Sequence, residues 1–540
     1  MAQPAPAETC AGAGRGGTRA DPLTGESPSG SSDLAGNLHG GDLEGSLKEQ
    51  PCDGVGESVA VSESGDALEG LLARLGPFGF YQRYVLLLLL LPNLLAPMYS
   101  LSYVFVADRV PFRCVVPECE EAARPEYSNS TAALLLPGDA CRRYAPLQPA
   151  RRSCDRLHFH PTDTVECDQF VYKEHHTIYA EFGLACHEWR RTLVGTVRNA
   201  ALPVALLLTG YISDGWGRRT AFCVFAAFAG TLGLAKSFAP NYNIYIALEF
   251  FEAALGYGFN SAAYVMMIEL GRPSLRAAFA CASGVAYGLG GVLLAEAARR
   301  EPGWRLLLRA TYAPALALPC YWLLLDESVR WLHAANLTDR AVSTVQKAAR
   351  WNKVFIDENF IRESMEYRDA EDTKPEGNPW LSLVRSRELM LRFAACCFCW
   401  VAAAFVYYGL TINSVTLSGD KYTNFALNMA MEIVASFLIM MALERIGRRI
   451  SISVAFLLCG LASVIPFFMA GAAGHRALYF LGKLAITFAF NSLYVFTAEL
   501  FPTRARSSAL AAASLAGRLG STLAPQTPLL VCALSKLSLC

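Results

Sequence analysis

GYISDGWGRR at residues 210–219 and ALERIGRR at 442–449 each close a long apolar run with an acid, a glycine and two arginines. Asp214, Gly217, Arg218 and Arg219 correspond to Glu444, Gly447, Arg448 and Arg449 at a separation of 230 residues. A second motif keeps the same spacing: Glu269 and Arg276 of ELGRPSLR match Glu499 and Arg506 of ELFPTRAR. Two independent motifs at one offset imply two parallel repeats, as in membrane proteins whose halves are related by an axis along the membrane normal.

The apolar content fits that setting. The 540 residues are 53% hydrophobic and 17% charged, with no formal net charge. A helix needs roughly 20 apolar residues to cross a bilayer. Eleven runs qualify, at about 84–107, 193–213, 220–238, 243–268, 277–297, 305–325, 393–413, 424–443, 450–471, 478–498 and 507–527. An all-α membrane protein is expected, because helices satisfy their own backbone in lipid. The short loops at 214–219, 271–276, 444–449 and 502–506 carry nine arginines and alternate with loops that carry few, which places them in the cytoplasm. Arg299, Arg300 and Arg305 run against that bias.

Residues 1–82 are expected to be an acidic, disordered tail, since 1–70 hold twelve acids against three bases and few aromatics. The first helical half is expected over 83–325, a cytoplasmic linker of short amphipathic helices over 326–392, and the second half over 393–540. The stretch after the eleventh run is too short for a twelfth helix, so the last helix is expected to be missing.

Between the first two runs lies one large loop, 108–192, with Cys114, Cys119, Cys141, Cys154, Cys167 and Cys186. Six cysteines in a turn-rich loop suggest three disulfides of open connectivity on the exoplasmic side. The sequon at Asn129 makes it a glycosylation site. The loop also holds His158, His160, His175, His176 and His187. Histidine changes charge between about pH 5 and 8. His158, His160, His175 and His176 are therefore candidate pH sensors in a loop that also holds Arg142, Arg143, Arg151, Arg152 and Arg156, with ordinary surface histidines as the plainer reading. No paired CxxC is present, so no metal is expected; nor is a cofactor or a nucleic-acid partner.

Candidate cavity residues are those that lipid would reject. Glu432, Lys483 and Arg518 lie inside apolar runs, where a charge costs about 3 kcal/mol or more and marks a pathway or a buried pair. Tyr407 and Tyr408 are candidates to stack on an organic ion, or to pack.

The loop after the first run, GYISDGWGRR, GWR at 303–305, DESVRWL at 326–332, FVYYGL at 405–410, ERIGRR and ELFPTRAR together resemble the organic cation/anion transporters of the major facilitator superfamily. The resemblance covers about residues 70–527. It implies a major facilitator fold of two parallel six-helix repeats working by alternating access, and no enzymatic activity. It also implies a cytoplasmic gate of ion pairs at Asp214, Arg218, Arg219, Glu269, Arg276, Glu327, Arg330, Glu444, Arg448, Arg449, Glu499 and Arg506. Arg518 resembles the anion-handling branch of that family. Several positions depart from the pattern. Gly215 stands where the motif has arginine, Glu249 where the fourth helix usually has arginine, and Asp326 and Val329 where PESPRWL has prolines. These departures resemble an atypical branch, which implies a plasma-membrane receptor for endocytic uptake of a lipocalin carrying siderophore-bound iron, reaching endosomes after uptake. The alternative is an alternating-access transporter of small organic ions, anions above all.

If 108–192 is exoplasmic and 326–392 cytoplasmic, Asn129→Gln should raise gel mobility as much as full deglycosylation does. Asn336→Gln, in the second sequon, should leave mobility unchanged; a shift there would invert the topology.

Overall fold

The computed structural model describes residues 67–76, 78–120, 126–128, 135–137, 140–147, 155–270, 275–366, 386–469, 471–501 and 503–529. All eleven apolar runs are helical. A short helix, α1 (Ala67–Arg74), precedes α2 (Phe80–Leu101), α3 (Glu188–Trp216), α4 (Arg218–Lys236), α5 (Tyr242–Gly256), α6 (Gly258–Leu270), α7 (Arg276–Arg300) and α8 (Trp304–Tyr312). The linker forms α9 (Val329–Ala334), α10 (Thr338–Asn352) and α11 (Glu358–Glu366). The second half contributes α12 (Arg387–Asn413), α13 (Lys421–Arg445), α14 (Arg448–Val464), α15 (Ala472–Leu500) and α16 (Thr503–Leu523). Among the described residues seven helices are long and apolar enough to cross a membrane; the other runs are shorter or more polar. The fourth run is split between α5 and α6. The sixth passes from α8 into a 3₁₀ stretch, Ala313–Cys320, where Pro314 and Pro319 remove helical N–H donors.

The offset of 230 reappears as geometry. Gly217 and Gly447 both turn the chain at positive φ, 99° and 91°, which a side chain resists. Arg218 and Arg448 then fold back on the carbonyls that end the preceding helix, Ser213 at 2.9 Å and Leu443 at 3.3 Å. Each also reaches the glutamate 51 residues on, Glu269 at 3.3 Å and Glu499 at 3.2 Å. Cations at a helix C-terminus offset its partial negative charge. The halves meet along α7 and α13, where Gly288 lets the backbones close; a Cβ there would come 2.6 Å from Ile433 and 3.0 Å from the Met429 carbonyl.

The expected disordered tail ends earlier than residue 82. Leu68, Leu71 and Leu72 in α1 and Leu75 just after it recur at helical spacing and are buried. Glu69 pairs with Arg330 at 2.8 Å and Arg276 at 3.4 Å. Bulk composition over 1–70 masked this short amphipathic helix. Asn352 at the end of α10 fastens it further, donating to the Leu75 carbonyl at 2.9 Å and accepting from the Tyr81 amide at 2.9 Å. Residues 367–385 of the expected linker lie outside the described residues.

Within the loop 108–192, β1 (Phe112–Cys114) pairs antiparallel with β4 (Phe170–Tyr172), and β2 (Arg142–Pro146) with β3 (Phe159–Glu166). Disulfides join Cys114 to Cys167 and Cys141 to Cys186. They weld the ribbons to the chain leaving the first span and entering α3. Cys154 and Asn129 lie outside the described residues.

Glu327 makes the two glycine turns unequal. Its carboxylate accepts from the Arg218 amide at 2.9 Å and caps α4, and a Cβ on Gly217 would lie 2.3 Å from it; Gly447 has open space. Both alanine variants carry backbone strain of about 1–3 kcal/mol. Gly217→Ala should therefore lower the Tm in detergent more than Gly447→Ala. Equal losses would remove the carboxylate contact from the account.

Candidate functional site

The end of the bundle that carries 108–192 is termed the loop face, and the opposite end the hairpin face. Of the cavity candidates, three form one closed group. Lys483 on α15 pairs with Glu432 on α13 at 2.7 Å, donates to Thr411 at 2.8 Å and lies 3.6 Å from the Tyr407 ring centroid. Thr487 donates to Glu432 at 3.3 Å. The two charges neutralise each other, and Tyr407 packs on Phe490 with ring centroids 5.0 Å apart.

Arg518 on α16 differs. It is 9% exposed, and among the described residues no carboxylate lies within ion-pair reach. Its neighbours are phenols: it donates to Tyr408 at 3.5 Å and lies 5.9 Å from the ring centroid of Tyr257, a residue of the first half. The Tyr408 ring in turn meets Tyr407 at 5.1 Å.

The first half holds a charge cluster that the motifs did not reveal. Arg198 on α3 pairs with Glu249 on α5 at 2.8 Å and with Glu252. Lys236 at the end of α4 pairs with the same two glutamates, at 2.9 and 3.1 Å, and donates to Tyr312 at 3.2 Å. All four charges are buried. Glu249 is thus one member of a neutral tetrad and not an isolated reversal of charge. Two cations inside apolar runs, Arg198 and Lys236, were the available signal. The offset of 230 maps α3 onto α13 and α5 onto the start of α15, so buried ion pairs tie the same two helices in each half.

The gate residues gather at the hairpin face, and their described pairs stay within one half or reach the linker or α1. Arg218 pairs with Asp214 at 2.9 Å as well as Glu269. Arg219 accompanies Arg218 in the Glu327 cap, donates to the Leu325 carbonyl at 3.2 Å and lies over Trp322. Arg330 and Arg276 share Glu69, and Arg448 meets Glu499. Arg449 and Arg506 are exposed, and the Glu444 side chain lies outside the described residues. Ion pairs between the halves occur at the loop face instead. Lys421 meets Asp108 at 2.6 Å, and Arg299 meets Asp420 at 2.5 Å. Gln526 bridges to Thr192 and Thr196 at 3.1 and 2.7 Å. Hydrogen bonds from Thr423 hold the Asp420 carboxyl below the usual carboxylate range, and Arg299 adds to this. Two of the arginines that defied the charge bias are engaged here, Arg299 by Asp420 and Arg305 by Glu181 at 2.6 Å.

Of the loop arginines, Arg151 and Arg152 lie outside the described residues. His160 faces Asp163 at 3.3 Å and His176 faces Glu174 at 3.2 Å. His175 lies 6.1 Å from the Tyr172 ring, and His158 is half-buried. Arg143 is engaged by Glu118, and Arg156 lies over Tyr144.

Glu249→Arg would put a third cation against Arg198 and Lys236. Breaking a buried pair costs about 3–5 kcal/mol. The variant should show strongly reduced folded yield by fluorescence-detected size exclusion, whereas Gly215→Arg, at an exposed site with open space, should not. Equal yields would dissolve the tetrad as a structural element.

Comparison with known proteins agrees with this architecture. Residues 165–536 match the family described as Sugar (and other) transporter. Human solute carrier family 22 member 13 is 30% identical over 476 residues, covering 85% of both chains. The Drosophila melanogaster organic cation transporter protein is 29% identical, covering 86% of both. Rat organic cation/carnitine transporter 2 is 29% identical, covering 84% of both. The partially occluded inward open conformation of the E. coli xylose transporter XylE superposes with a TM-score of 0.52 at 14% identity, covering 83% of this chain and 92% of that one, a likeness of fold. With paired glycine–arginine turns and these relatives, the chain belongs to solute carrier family 22, multi-pass transporters of the major facilitator fold.

Proposed function

We propose that the chain is an alternating-access transporter whose central site accepts small organic anions. The observation that carries this is Arg518: a buried guanidinium without a described carboxylate, among tyrosines of both halves. A charge at that depth is costly unless a partner arrives, and a carboxylate or sulfate on an organic ligand supplies one with bidentate geometry. The phenols of Tyr408 and Tyr257 offer ring faces and hydroxyls to the rest of the ligand. Glu432 and Lys483 compensate each other and add no net attraction for either sign. The hairpin face is cytoplasmic by its arginines, and the loop face is outside by its disulfides. The structure is then closed outside by Lys421–Asp108 and Arg299–Asp420.

A second reading has its own observation. The loop 108–192 is a folded, disulfide-held surface with Leu157 81% exposed and Leu147 and Trp189 exposed as well. We propose it as the surface by which a receptor at the plasma membrane would take a lipocalin carrying siderophore-bound iron into endosomes, as the resemblance to the atypical branch implies.

One set of cells separates the two. Uptake of a labelled organic-anion panel should fall about 10- to 100-fold in Arg518→Gln, the scale of a charge-assisted hydrogen bond of roughly 1.5–3 kcal/mol. Arg518→Lys should retain part of it, and organic cations should enter poorly in every form. Lipocalin binding at the cell surface should be unchanged by Arg518→Gln and lost on Leu157→Asp. Anion uptake indifferent to Arg518→Gln would sink the transport reading.

A further inference from the structure

At the loop face, α13 begins with an acid and a base side by side, and the first half answers with the opposite order. Asp420 caps α13, accepting from the Thr423 amide at 3.0 Å and its hydroxyl at 2.6 Å, and Arg299 at the end of α7 grips the same carboxylate. Arg299 also donates to the Thr423 hydroxyl at 2.7 Å. Lys421, the next residue, donates to Asp108 at 2.6 Å. Beneath these charges Phe105 stacks on Tyr422 at 5.6 Å and meets Phe425 edge-on at 4.9 Å, so the seam is apolar under a charged rim.

Pairs such as Arg218–Glu269 or Lys483–Glu432 lie within one half and survive any rocking of the halves. Those at Asp420 and Lys421 do not, because their partners separate whenever the loop face opens. We propose that Asp420 and Lys421, gripped by Arg299 and Asp108, form a two-point electrostatic latch that sets how readily the loop face opens. The proposal rests on the alternating-access reading. The crossed order of charges also fixes register: a slide that brought Arg299 toward Lys421, or Asp108 toward Asp420, would set like charges together.

Asp108 gives the latch a second role. It is the root of the loop, six residues before Cys114, which is bonded to Cys167. The same loop is pinned to the first half by Arg305–Glu181 at 2.6 Å and by the Trp304 amide on the His176 carbonyl at 2.9 Å. A pull on the loop is therefore a pull on one arm of the latch.

The test is done on the full chain at the cell surface, in a Thr196→Cys background, with a membrane-impermeant maleimide. Thr196 lies at the loop-face seam under Gln526, so its labelling rate reads opening. Lys421→Gln and Arg299→Gln should each raise that rate about two- to fivefold over the Thr196→Cys parent, the scale of a part-exposed ion pair. Asp108→Lys alone should label at least as fast. The swap of Asp108→Lys with Lys421→Asp should return to within about twofold of the parent, the signature of coupling between neighbours. Unchanged rates in both neutralised forms overturn the proposal, and so does a swap that labels as fast as Asp108→Lys. The swap keeps both charges and remains informative if a single variant fails to reach the surface. Labelling needs no substrate. Changed rates with no anion uptake would retire the transport substrate and keep the latch; intact uptake with unchanged rates would do the reverse.

Discussion

A charge placed at the depth of lipid hydrocarbon must find its opposite inside the protein. Arg198, Lys236, Glu249 and Glu252 meet that demand in the first half, and Glu432 with Lys483 meets it in the second. Buried pairs of this kind are weak evidence for stability but costly to break. Their placement therefore matters more than their strength. Both clusters tie the helix that follows the large loop, or its repeat, to the helix two further on. Each half is held together by contacts that rocking does not disturb, while the contacts between halves are a glycine-lined seam and a charged rim. Rigid halves with a separable seam are what alternating access requires, and Arg518 is the described interior cation left over once the pairs are counted.

Much of the fold was legible because its signals are local. Runs of apolar residues fix where helices go, and a glycine followed by two arginines fixes the turn, so the offset of 230 carried directly into matching geometry at Arg218 and Arg448. The tetrad was not legible. Its partners lie 51, 54, 13 and 16 residues apart on three helices, and no spacing rule brings them together. Helix α1 was hidden by averaging composition over a long acidic stretch when the leucines at 68, 71, 72 and 75 held the answer. The gate residues sit at helix ends, but which partner each one meets was not legible. A motif fixes which residues sit at a helix end, whereas the state of the bundle decides what they meet there, and here the crossing pairs are at the other face.

The departures from the family pattern take on another meaning in this light. Glu249 is matched by Arg198 and Lys236. Asp326, in place of a proline, meets Lys347 at 2.8 Å and accepts from Tyr81 at 3.2 Å, which draws α10 against the first span. Gly215 is exposed, and its neighbours Asp214 and Arg218 still pair. Glu327 and Arg330, kept from the motif, cap α4 and hold α1. Of the departures from the pattern, Glu249 and Asp326 have each gained charged partners, and Gly215 is exposed. The buried acids described in the two clusters are each met by a cation, Arg518 is the cation left over, and the seam glycine Gly288 is in place. A role for this chain other than transport must therefore be argued from what the loop binds.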